Sequence, residues 1–242
     1  KNRELAALNA ELTAFNEFAV NDYGQALKKL YTSLEQVVRQ DAQHFSDTGK
    51  ANMRKAQASI QKLKLLTEDI VTFYRLPHID TQRSAVDLND IIADAISGEL
   101  SEKLNDAKLT IESAELPVVE GYPMLLSLMY FHLIENAIRF SPANEKVAVS
   151  YEKHIGSRQH FPHVENEAFH KITIMHKGAG FDAANASEIF KLSFRNTESA
   201  RFRSTGIGLP VSKKIMDLHK GYISATVGQD DSTRYDCYFP IL

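Results

Sequence analysis

Phe131-His132-Leu133-Ile134-Glu135-Asn136-Ala137-Ile138-Arg139-Phe140-Ser141 is the stretch whose reading decides the fold. Leu128, Phe131, Ile134 and Ile138 recur at helical spacing and give one apolar face. The polar side carries Glu135, Asn136 and Arg139. The Asn136 amide oxygen suits a hard Mg²⁺ ion that keeps most of its waters. Glu135 is placed to act through a metal-bound water. Arg139, one turn on, has the charge and planar donors for a phosphate. Taken alone, the same stretch also fits an ordinary amphipathic helix with a wet outer face.

Two glycine-punctuated segments lie further along. Ile174-Met175-His176-Lys177-Gly178-Ala179-Gly180-Phe181 reads as a strand ending in a Gly-x-Gly turn, where backbone can approach a flat ligand closely. Ser204-Thr205-Gly206-Ile207-Gly208-Leu209-Pro210 opens a helix whose unpaired amides form a natural phosphate cradle. The polar, basic run 195–203 between them has the composition of a lid over polyphosphate, and equally of a solvated loop. The three segments in this order are more specific than any one of them.

Composition narrows the classes. The chain has 242 residues, 43% hydrophobic and 24% charged, which suits one or two domains with real cores. A net charge of -3 leaves no nucleic-acid footprint. The lone Cys237 excludes an internal disulfide framework and fits a reducing compartment. No apolar run approaches the roughly 20 residues of a membrane span, so membrane attachment is expected only through a segment upstream of Lys1. A cytoplasmic location is expected.

The pattern changes once along the chain. Residues 1–76 lack proline and repeat apolar residues at helical spacing, from Leu5 to Val38 and again from Ile60 to Leu76. Ser46-Asp47-Thr48-Gly49 supplies turn and cap chemistry between them. Residues 1–76 therefore predict a two-helix hairpin, whose open apolar stripe a second copy would bury as a four-helix bundle. Residues 77–86 read as a linker, and 87–242 as an α+β sandwich. Helices are expected at about 89–104, 123–139, 184–192 and 208–219. Strands are expected at about 107–112, 118–119, 146–153, 169–176, 221–228 and 233–239. Asp87 or Asn89 is the candidate cap of the first of these helices. His154, His160, His163 and His170 mark a polar hairpin tip, read as solvated loop because no tight ligand spacing accompanies them.

This order resembles the sensor histidine kinase core, a dimerisation hairpin followed by a Bergerat-type ATP-binding domain, over nearly all of residues 10–242. Residues 132–140 resemble its asparagine box, with the Mg²⁺-holding asparagine kept as Asn136 and the first asparagine changed to His132. Gly121-Tyr122-Pro123 resembles the turn that introduces this helix, residues 189–194 the phenylalanine box, and 218–223 the exit from helix to strand. The resemblance implies ATP and Mg²⁺, with nucleotide contacts from Asn136, Arg139, His176, Gly178, Gly180, Thr205, Gly206, Gly208 and Leu209. It also implies a homodimer and a response-regulator receiver domain or partner kinase.

Several positions depart from the family. His176 stands where an aspartate accepts from the adenine amino group. A neutral imidazole accepts a hydrogen bond, but its protonated form cannot. Losing such a buried partner costs about 1–3 kcal/mol, so weakened nucleotide binding is expected. Ser204 replaces a glycine. Asn21 stands where the phosphoacceptor histidine belongs, with the neighbouring acid kept as Asp22, and an amide is no nucleophile toward a γ-phosphate. Ala26 replaces a proline, so the first helix should be straighter. A pseudokinase that signals by binding a partner is the reading these changes favour, without autophosphorylation. The alternatives are an inactivated variant of a working kinase, or a phosphatase of receiver phospho-aspartate. In the latter, Gln25, one turn beyond Asn21, would position the attacking water.

Overall fold

The computed structural model describes residues 2–41, 44–76, 82–98, 100–156, 167–178, 180–192 and 206–241. Two compact units divide the chain, one of residues 1–78 with 203–207 and the other of residues 79–202 with 208–242.

The first unit is a helical hairpin. Helix α1 spans Asn2–Asp41 and α2 spans Asp47–Arg75. The helix runs unbroken through Ala26, as expected where no proline removes a backbone donor. The Ser46 hydroxyl accepts from the Gly49 N–H at 3.1 Å and opens α2. Among the described side chains of α1, from Asp22 onward, none is buried. Tyr23, Leu30 and Leu63 stay 65%, 55% and 49% exposed, so the hairpin leaves apolar surface uncovered.

The second unit is an α/β sandwich. A two-stranded ribbon pairs β1 (Ser84–Asp87) with β3 (Val118–Gly121). The main sheet contains β2 (Thr110–Ser113), β4 (Lys146–Ile155), β5 (Ala168–Lys177), β6 (Tyr222–Val227) and β7 (Ser232–Pro240). Its order is β2-β4-β5-β7-β6, parallel only between β2 and β4. Pairing in register puts Val147, Val149, Ile172, Ile174, His176, Thr233, Tyr235, Cys237, Ile223 and Ala225 on one face. Helices α5 (Pro123–Phe140) and α6 (Gly208–Leu218) pack on that side. From α5, Leu126, Met129, Leu133, Ile134 and Ala137 are fully buried. Each large aliphatic side chain so buried contributes about 1.5–3 kcal/mol. The Cys237 thiol lies in this layer, and burial pushes its pKa up, which keeps it protonated and unreactive.

Three expectations change. Residues 84–86 are strand rather than linker, because Val86 is buried in register with Val119; residues 77–81 lie outside the described residues. The helix expected at 89–104 is two helices, α3 (Leu88–Ser97) and α4 (Ser101–Ala107), broken at Gly98. A Cβ there would lie 2.8 Å from the Asp94 carbonyl oxygen, and the break lets Leu100 turn fully inward. The helix expected at 184–192 is a single 3₁₀ turn, Ala183–Asn185, followed by turns. The Asp182 carboxylate accepts from the Ala184 N–H at 2.9 Å and opens this turn, and a segment this short does not nucleate a helix. Asp87, not Asn89, caps α3, accepting from the Asn89 N–H at 2.8 Å. Asn89 instead exchanges two hydrogen bonds with the Leu116 backbone, each 2.9 Å.

One buried histidine fixes how α5 and α6 lie. His219, just past α6, accepts from the Tyr122 N–H at Nε2, 3.0 Å away. Its Nδ1 donates to the Ile215 carbonyl at 2.8 Å. A Cβ on Gly121 would come within 2.7 Å of Nε2, so only glycine lets this junction close. The start of α5 is thereby joined to the end of α6. Burial pushes the His219 pKa below the ordinary value; the Ile215 carbonyl opposes this and Arg83 adds to it. The unfolded chain takes up this proton near pH 6.5, and the folded chain only lower. The stabilisation is therefore full above about pH 6.5 and declines as pH falls toward the folded value. Urea unfolding at pH 7.5 and 5.5 should show this loss in the native chain. His219→Leu should be less stable by about 1–3 kcal/mol at pH 7.5 and should lose less on acidification.

Candidate functional site

Helix α5 begins with Pro123 at its first turn, where a missing N–H costs nothing. Its buried stripe points at the sheet, so His132, Glu135, Asn136 and Arg139 form the opposite stripe at spacings of three and four. All four are half-buried. Arg139 pairs with Glu135 at 3.4 Å, and Lys103 of α4 pairs with the same carboxylate. The Glu135 carboxylate is thus shared between two cations on different helices. The Asn136 amide makes no hydrogen bond among the described residues.

Helix α6 meets this stripe at its N-terminus. A Cβ on Gly208 would lie 3.0 Å from His132 Nδ1, so the histidine ring rests on the glycine. Together with the His219 junction, this makes α5 and α6 antiparallel. The first turn of α6 therefore lies beside the Asn136-bearing part of α5, with its orphan amides at that end. Ser212 returns a hydrogen bond to the Gly208 carbonyl at 2.9 Å, and Leu209 is half-buried. Gly206 takes a φ of +76° with open space on its Cβ side, a conformation that favours glycine. Ser204, Thr205 and the basic run 195–203 lie outside the described residues.

The Gly-x-Gly turn closes the third side. Gly178 has a φ of +100°, and a Cβ on it would sit 2.1 Å from the Phe140 carbonyl oxygen, the last residue of α5. Gly180 lies against the Phe140 ring, its Cβ position 3.5 Å from Cδ2. Thr233 on β7 fastens the turn from beneath. Its hydroxyl donates to the Gly178 carbonyl at 2.8 Å and accepts from the Gly180 N–H at 3.1 Å. Sequence reading missed Thr233. Its only sign was a threonine opening a strand, and its partners are 53 and 55 residues away.

His176 ends β5 on the helix-facing side and is 1% exposed. Its Nδ1 lies 2.8 Å from the Lys177 carbonyl oxygen, which only accepts, so Nδ1 carries the proton. Nε2 is then a lone-pair acceptor, and it is buried with no partner among the described residues. Burial pushes the His176 pKa down, against the Lys177 carbonyl, and keeps the ring neutral.

On the hairpin, the Asn21 side chain lies outside the described residues. Asp22 and Gln25 are exposed on α1. Of the histidines at the β4–β5 tip, His160 and His163 lie outside the described residues. His170 Nδ1 meets the Tyr151 hydroxyl at 3.0 Å, and the His154 ring packs on Tyr238 at 5.2 Å. Among the described residues no group of three or more metal-ligating side chains converges.

Residues 121–242 match the family model described as "Histidine kinase-, DNA gyrase B-, and HSP90-like ATPase". The phytochrome-like protein Cph1 of Synechocystis is 23% identical over 91% of this chain, which corresponds to 28% of Cph1. The sensor protein kinase PmrB of Pseudomonas aeruginosa is 26% identical over 86% of this chain and 46% of its own length. Among solved structures, the histidine kinase AdeS of Acinetobacter baumannii superposes with a TM-score of 0.56 at 18% identity, covering 89% of this chain and 95% of that one. Full-length ShkA in complex with AMPPNP gives 0.60 at 15% identity, covering 91% of this chain and 45% of that one. The chain spans between 27% and 29% of the length of its phytochrome relatives.

The turn beneath His176 yields a direct test. Thr233→Val keeps the shape and removes the hydroxyl's hydrogen bonds to Gly178 and Gly180. Its expected cost is about 1–3 kcal/mol in denaturant unfolding. Gly178→Ala must clear the Phe140 carbonyl as well as adopt a positive φ, so it should cost more than Thr233→Val.

Proposed function

The chain belongs to the histidine kinase-, DNA gyrase B- and HSP90-like ATPase family through its sandwich unit, and from that premise we propose that it is the signalling core of a sensor histidine kinase unable to phosphorylate itself. The observation that carries the nucleotide half of this reading is the set of unspent groups at one end of the α5–α6 pair. These are the unpartnered Asn136 amide, the first turn of α6 opened by Gly208, and the buried acceptor on His176.

The residues fit Mg-ATP. Asn136 would hold the ion through its amide oxygen, with Arg139 placed for phosphate. Gly206, Gly208 and Leu209, with Thr205, would face the phosphates through backbone amides. Gly178, Gly180 and His176 would take the base. When bound, Mg-ATP supplies a γ-phosphoryl group for transfer. Glu135, held by Lys103 and Arg139, orients the polar stripe. The missing part is the acceptor. Asn21 has no lone pair on its side-chain nitrogen comparable to that of imidazole, because amide resonance withdraws it. Asp22 therefore has no base to serve. Loss of the adenine-side carboxylate to His176 is expected to weaken nucleotide binding.

Such a chain acts through partners. The uncovered apolar residues Tyr23, Leu30 and Leu63 support self-association of the hairpin into a homodimer. The partner is a receiver domain or an active kinase of the same type. The phosphatase alternative draws on the exposure of Gln25, one turn from Asn21. There it would align a water on a receiver's phospho-aspartate.

Incubation with radiolabelled Mg-ATP should leave no acid-labile phosphate on the native chain, and Asn21→His should acquire some. Label on the native chain would remove the pseudokinase reading. A phosphorylated receiver domain should keep its phosphate in the presence of the chain. Accelerated loss that disappears in Gln25→Ala would favour the phosphatase. Light scattering at micromolar concentration should report a dimer; a monomer would contradict the hairpin's assigned role.

A further inference from the structure

The two buried histidines of the sandwich are built differently, and the difference has chemical content. His219 spends both ring nitrogens on the protein, accepting from Tyr122 and donating to Ile215. That is a structural histidine, finished by its own fold. His176 spends only one. Its Nδ1–H is fixed on the Lys177 carbonyl, and Nε2 is buried with no partner among the described residues. A buried acceptor left empty costs about 1–3 kcal/mol. The fold could avoid that cost with an apolar residue, as it does next door at Ile174. A group kept at that cost calls for an explanation.

The surroundings say what kind of donor would satisfy it. His176 lies two residues before Gly178, and Gly178 and Gly180, which carry no side chain, are fixed by Thr233 and by the end of α5. The Tyr235 ring lies 6.1 Å from the His176 ring, tilted by 30°. A flat ring offering one N–H at its edge fits a site beside two glycines and the Tyr235 ring. Because Nε2 is closed to solvent, such a ring must displace side chains that cover it.

We propose that His176 selects the purine by the group at its sixth position: the neutral ring accepts from the 6-amino group of an adenine nucleotide, and the protonated ring instead donates to a 6-oxopurine. This rests on the ATP-binding reading and adds to it a base preference that reverses with acidity. The logic is one of hydrogen-bond sign. With Nδ1 committed as a donor, neutral Nε2 can only accept, so a 6-oxo group would face it lone pair to lone pair. One added proton turns Nε2 into a donor and exchanges the preference. An aspartate at this position would stay an acceptor down to a far lower pH.

The groups around the ring do not already fix its charge. On β7 its neighbours are Thr233 and Tyr235, both uncharged; burial holds the Tyr235 hydroxyl protonated. On β4 its register partner is Val147. From α5, Glu135 and Arg139 are joined to each other, and Tyr130 is buried and protonated. The adjoining Lys177 lies on the opposite face of β5, paired with Asp230 at 2.7 Å. No carboxylate among the described residues bonds the ring, so the ligand's own edge decides whether protonation is favoured.

Inosine triphosphate differs from ATP only in carrying the 6-oxo group and an N1–H, which isolates this contact. Both nucleotides, with Mg²⁺, are titrated calorimetrically into the native chain at pH 7.5 and 5.5, and into His176→Asp and His176→Phe. The ratio of the two affinities cancels the phosphates' own titration. The native chain should prefer ATP by about tenfold or more at pH 7.5, which corresponds to one hydrogen bond of about 1.4 kcal/mol. That ratio should fall at least severalfold at pH 5.5. Inosine triphosphate should take up a proton on binding there, seen as a dependence of the heat on buffer ionisation. His176→Asp should prefer ATP equally at both pH values, and His176→Phe should lose the preference at both. A native ratio unchanged between pH 7.5 and 5.5 overturns the proposal and needs no variant to fold, as does a His176→Phe chain that keeps the native ratio. ATP binding with a flat ratio defeats this inference alone. No binding of either nucleotide at either pH defeats the ATP reading itself, and this inference with it.

Discussion

The antiparallel pairing of α5 and α6 is the constraint on which the rest of the sandwich unit depends. It is held at both ends by histidine meeting glycine. At one end His219 bonds the Tyr122 backbone over Gly121, and at the other His132 rests on Gly208. Neither contact tolerates a Cβ without displacement. Because the pair runs antiparallel, the last turns of α5 and the first turn of α6 share one end. That places a polar side-chain stripe and a set of free helix amides together, which neither helix provides alone. The entry to the unit is tied to the same structure: Arg83 donates to the Glu120 carbonyl at 3.0 Å and lies 5.8 Å from the centre of the Tyr122 ring.

A second constraint is polar economy around the Gly178–Gly180 turn. Most buried polar groups here are satisfied by the protein. Thr233 serves both glycines, and Asn89 serves Leu116. Against that background the unmet Nε2 of His176 and the unmet hydroxyl of Tyr130 stand apart. Tyr130 lies deep in the α5–sheet layer near Cys237, whose charge would add to the rise in its pKa, and it acts as packing. His176 lies near the end of β5, two residues before Gly178.

Much of this was legible in the sequence because the signals are local. The apolar stripe of 128–138 predicts α5, and Gly-x-Gly after an apolar strand predicts the turn at 178–180. Asn136 and Gly208 are legible as residue types with a chemical use. What escaped was set by distant partners. Ser84–Asp87 carries no strong strand pattern of its own and becomes β1 only through pairing with Val118–Gly121. Gly98 reads as tolerable inside a helix until the burial of Leu100 requires a break. Thr233 looks like any strand threonine until β7 lies beside β5. The ion-pair partner of Glu135 likewise escaped, because Lys103 lies 32 residues earlier and on another helix.

The family identity and the hairpin pull in different directions. In the function proposed above, the sandwich supplies groups able to hold a nucleotide, while Asn21 on α1 stands where the family resemblance would place the phosphate acceptor. Calorimetric titration with Mg-ATP, run on the native chain and on Asn136→Ala, tests this account most directly. The account predicts saturable binding at one site per chain, with affinity at least about tenfold lower for Asn136→Ala, in line with loss of a metal-holding side chain. Absence of binding by a folded native chain at millimolar Mg-ATP, or equal affinity in the two chains, would contradict it.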